Sequence, residues 1–77
     1  MDKIEQQVLE ALKQLERAVE KMRDGGPKPD LPGMFARLDE LTRQLPATTD
    51  RQLLHYLHRK SYQKAREFLE EQAAKPA

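Results

Sequence analysis

The sequence has no cysteine and no tryptophan, and its only aromatic side chains are two Phe and two Tyr. Without cysteine there can be no disulfide, no thiolate metal site and no cysteine nucleophile. The missing disulfides fit a reducing compartment. Serine occurs once, at Ser61, three residues after His58. Catalytic triads are assembled in space, so that spacing is no evidence for one. Glycine is scarce, and the pair Gly25-Gly26 is not preceded by the strand that a phosphate-cradling loop requires. No apolar run approaches the roughly 18 residues of a membrane span. The opening Met1-Asp2-Lys3-Ile4-Glu5 lacks the basic-then-apolar order of a signal peptide. These absences lead us to expect a cytoplasmic, non-catalytic protein with no cofactor, no metal and no membrane partner.

What is present favours helices. The chain has 77 residues, of which 38% are hydrophobic and 35% charged. That is one domain at most, and too apolar and too periodic for a disordered chain. Chains this short bury little apolar area and lean on a staple. With disulfides excluded, oligomerisation is the expected one.

Residues 1–24 form the clearest segment. Asp2 and Glu5 have the spacing of a capping box. Ile4, Val8, Ala11, Leu15, Ala18 and Met22 then follow alternating steps of four and three, a heptad seam that Leu12 and Val19 widen. No Gly or Pro interrupts them, and a helix of about 23 residues would span roughly 34 Å. Gly25-Gly26-Pro27 stops it, because glycine accepts a left-handed cap and proline cannot continue the ladder. Residues 25–30 read as a flexible linker.

Residues 31–73 read as a compact helical unit. A helix starting near Pro32 places Leu31, Met34, Leu38, Leu41 and Leu45 on one face with Phe35 beside them, and Pro46 closes it. Thr49 with Gln52 has capping-box spacing and opens a further helix. There Leu53, Leu54 and Leu57 face inward, Tyr56 and His58 lie at the edges, and His55 points away. The stripe then loses phase. Tyr62, Ala65, Leu69 and Ala73 form a new one, so a break is expected between Arg59 and Ser61. Residues 74–77 form a fraying tail.

Two surfaces are candidates for function. The seam, Ile4 to Met22, suits self-association or capture of a partner helix, and its small residues Ala11 and Ala18 permit close approach. The second is basic. The formal net charge is only +1, but five Lys and Arg and no acid fall between Arg51 and Arg66. Arg51, His55, Arg59, Lys60, Lys64 and Arg66 could meet phosphates, as in small nucleic-acid-binding regulators. Glu67, Glu70 and Glu71 follow closely, and exposed Lys and Arg more often serve solvation. His55 and His58 are close enough to share a metal, but a site needs three or four ligands and the neighbouring arginines repel cations.

The expected fold is therefore all-α: a small helical bundle, one long N-terminal helix plus two or three short helices. The expected function is non-catalytic protein–protein interaction, as a homodimeric adaptor or regulatory accessory using the seam. An exposed aromatic rim of Phe35, Tyr56, Tyr62 and Phe68 would contribute. The alternative is a nucleic-acid-binding regulator using the basic face.

Overall fold

The computed structural model describes residues 3–74. They form α1 (Lys3–Arg23), α2 (Leu31–Gln44), α3 (Arg51–His58) and α4 (Tyr62–Ala74), with no strand among the described residues. The chain is a small all-α bundle with a long first helix. The Asp2 cap and the tail beyond Ala74 lie outside the described residues.

The boundaries between successive helices each have a local cause. At the end of α1, Gly25 takes the left-handed conformation at φ +83°. Its N–H bonds the Met22 carbonyl at 3.2 Å, and that of Gly26 reaches back to Lys21 at 2.8 Å. This pair of bonds is a Schellman motif. A Cβ on Gly26 would stand 2.8 Å from the Lys21 carbonyl oxygen, so both glycines are used.

α2 begins at Leu31, one residue before the expected Pro32. Asp30 is its cap, with a carboxylate oxygen accepting from the Gly33 N–H at 3.2 Å. Leu45 turns to extended backbone ahead of Pro46 and ends the helix.

The expected cap of α3 was off by one residue. Asp50, not Thr49, is the N-cap, and its Oδ1 accepts from the Gln52 N–H at 2.8 Å. The Thr49 hydroxyl is left buried, with no hydrogen-bond partner among the described residues. A carboxylate at the dipole-positive end of a helix outcompetes the neighbouring hydroxyl.

The break before Ser61 is real. Lys60 has φ +58°, the one non-glycine residue with positive φ among those described. Its N–H bonds Leu57 O at 3.1 Å and the Ser61 N–H bonds Tyr56 O at 2.8 Å. This is a second Schellman motif, built without glycine. The Ser61 carbonyl then accepts from the Ala65 N–H and starts α4.

All four helices feed one core. α1 supplies Val8, Leu9, Ala11, Leu12 and Leu15, α2 Leu38 and Leu41, α3 Leu53 and Leu57, and α4 Ala65 and Leu69. α2 and α4 both pack along α1, and α3 packs on α4. α4 runs antiparallel to α1. Arg23 shares a groove with Tyr62 at one end, and Glu5 shares a recess with Gln72 at the other. Ala73, expected on the inward stripe, is exposed because it lies past the end of the core.

Candidate interaction surfaces

The heptad seam is divided by the fold. Val8, Ala11 and Leu15 are buried in the chain's own core, while Ile4 and Ala18 are half-buried. Met22, the last seam residue, is 38% exposed. Leu9 lies off the seam yet is buried, because helices flank α1 on two sides and the buried arc is wider than a two-helix stripe. The seam thus acts mostly within the chain, and only its C-terminal end faces outward.

That end lies beside other apolar groups. Phe35, near the start of α2, is 37% exposed. It stacks on Tyr62 at the start of α4, with ring centroids 5.7 Å apart. On the other side of Tyr62, a groove of about 280 Å³ separates the last turns of α1 from α4. Leu12, Leu15, Val19 and Tyr62 form its apolar walls, and Glu16, Glu20, Arg23 and Arg66 its charged rim. The expected aromatic rim is two separate pairs. Tyr56 and Phe68, both half-buried, meet edge to face at 6.5 Å, and Gln52 Nε2 donates to the Tyr56 hydroxyl at 2.7 Å.

The six candidate basic residues do not form one surface. Arg66 is turned inward, its side chain only 19% exposed. Its Nε pairs with Glu16 on α1, and its Nη1 donates to both oxygens of Glu70 at 3.1 Å. Hydrogen bonding to Glu70 outweighs partial burial and, with the charge of Glu16, raises the guanidinium pKa above its already high ordinary value. Lys60 Nζ lies 3.5 Å from Asp39 on α2. Tyr62 first, and Asp39 second, hold its ammonium above the usual lysine value. Arg51, His55, Arg59 and Lys64 are exposed and make no ion pair among the described residues. The first three form a stripe along α3, one turn apart. Arg66 could not be told from its neighbours in sequence, because Glu16 stands fifty positions away in the chain.

His55 and His58 are both exposed, although His58 was expected at the edge of the core. No group of three or more metal-ligating side chains occurs among the described residues. No helix among them is long and apolar enough to cross a membrane.

By fold the chain belongs to the class of small all-α bundles. It matches no protein-family model, no curated protein sequence and no solved structure.

Proposed function

We propose that this protein is a non-catalytic protein–protein interaction module, a small adaptor or regulatory accessory that docks through the end of the bundle where α1 finishes. A cytoplasmic setting fits a chain without cysteine. One observation carries the reading. Met22, the last residue of the α1 seam, is left exposed, with Val19 half-buried beside an apolar groove. Single exposed apolar residues are ordinary, but apolar residues gathered at a groove with a charged rim mark an interaction site. Because Val8, Ala11 and Leu15 are occupied within the chain, the docking part of the seam narrows to Ala18 and Met22, joined by Phe35. The basic face lends less support to a nucleic-acid-binding role, since Lys60 and Arg66 are held by Asp39, Glu16 and Glu70.

The test is affinity capture from the native cell with the wild-type chain and with the double variant Met22→Glu, Phe35→Glu. Circular dichroism would show that both remain helical. The wild type should retain a protein that the variant loses. Equal capture by both folded chains would overturn the reading.

A further inference from the structure

We propose that the outer face of α3 is a second docking surface, and that it takes an acidic amphipathic helix of another protein whose carboxylates repeat once per turn. This surface shares no residue with the groove beside α1, so it stands or falls apart from the reading above.

The composition of α3 sets it apart. α1, α2 and α4 each mix acids with bases, whereas α3 and its C-cap Arg59 carry bases and no carboxylate. On α2 and α4 a base finds an acid one turn away, Glu40 for Arg43 and Glu70 for Arg66. Arg51 and Arg59 have no acid three or four positions away in either direction. Leu53 and Leu57 turn one side of α3 to the core, and Arg51, His55 and Arg59 are exposed on the opposite side. Arg59 suits its end of the helix, but Arg51 does not. It stands in the first turn, where the positive end of the helix dipole disfavours a cation. Its charge therefore serves something other than the stability of α3.

The stripe has the dimensions of a helix. Arg51 to Arg59 spans about 12 Å, with successive side chains about 6 Å apart. Glutamates at i, i+4 and i+8 of a facing helix repeat at the same interval. Such rows lie along each other when two helices cross at about −50°. Each arginine offers a planar fork that binds a carboxylate through two hydrogen bonds. The imidazole of His55 offers an N–H in either protonation state.

A nucleic acid fits less well. Single strands stack their bases on exposed aromatic rings. The ring on α3, Tyr56, is half-buried against Phe68 with its hydroxyl held by Gln52. A duplex is wider than one helix face. Its phosphates would also meet Asp50 at the start of α3 and Asp39, which shares a recess with His58.

The experiment is a fluorescence-anisotropy titration of the full chain against synthetic alanine-based helical peptides at about 0.05 M salt, where exposed charges are little screened. One peptide carries glutamates at i, i+4, i+8 and i+12. A control of the same composition spreads them around the helix. The striped peptide should bind about tenfold more tightly than the control. The double variant Arg51→Glu, Arg59→Glu should weaken that binding about tenfold or more, and should instead bind a striped peptide with lysine in place of glutamate. A glutamate at position 51 suits the helix dipole, and circular dichroism would confirm that α3 persists. Arg17→Glu, Lys21→Glu makes the same change of net charge on exposed positions of α1 and should leave binding within about twofold.

Absence of binding to the striped peptide overturns the proposal. So does equal binding of the two peptides, or an equal loss from the α1 variant, either of which reduces the effect to net charge. Tighter binding of a DNA duplex, lost in the same α3 variant, makes a nucleic acid the occupant and overturns it as well.

Discussion

Thr49 and Asp50 are adjacent, and both are good helix-capping residues. Only the carboxylate is used, and the hydroxyl next to it is buried without a partner. The two residues should therefore respond oppositely to loss of their oxygens. Asp50→Ala removes the bond to the Gln52 N–H and should cost about 1 kcal/mol. Thr49→Val keeps the shape and removes an unsatisfied polar group, so it should be neutral or stabilising by up to about 1 kcal/mol. Urea denaturation of both variants measures the difference. A larger loss from Thr49→Val than from Asp50→Ala would return the cap to Thr49. In the sequence the two candidates were equivalent in kind, because a cap depends on the φ and ψ that the incoming chain imposes.

The two Schellman turns show how one element can be plain in one place and obscure in another. After α1 the left-handed position is Gly25, and the stop was legible. After α3 the same backbone geometry carries Lys60, and only the lost phase of the apolar stripe pointed to a break. A side chain at a left-handed position costs on the order of 1 kcal/mol, and glycine removes that cost. The Lys60 contact with Asp39 is exposed and offsets only a fraction of it. Lys60→Gly should thus stabilise the fold by about 0.5 kcal/mol, whereas Gly25→Ala should destabilise it by about 1 kcal/mol. Thermal melts followed at 222 nm would reveal both signs. A lower melting temperature for Lys60→Gly would mean that its ion pair outweighs the backbone strain.

At the scale of the whole molecule, stability rests on a few side chains. Leu38, Leu53, Leu69 and Val8 are the largest fully buried ones, and each comes from a different helix. A fold of this size has a stability of about 5 kcal/mol or less. Leu38→Ala should cost about 3 kcal/mol, more than half of that stability. A denaturation midpoint shifted by less than a third of its value would show that the site collapses around the smaller side chain. The Arg66 contacts add a different kind of tie. Through Glu16 they link α1 to α4 at the edge of the groove, while Glu70, on α4 itself, holds the guanidinium from the other side.

The sequence by itself determined the helical class, the long first helix, the stops at Gly25 and Pro46, and most of the buried leucines. These follow from periodicity and backbone chemistry, which act over a few residues. The tertiary structure alone decided which part of the seam is spent. Val8, Ala11 and Leu15 went inside because α2 and α4 pack along α1, whereas Met22 in its last turn stayed exposed. It also decided that Arg66 pairs inward rather than facing a ligand, since its partner Glu16 lies on the opposite wall of the groove. Such pairings bring together residues far apart in the chain, and local spacing carries no record of them.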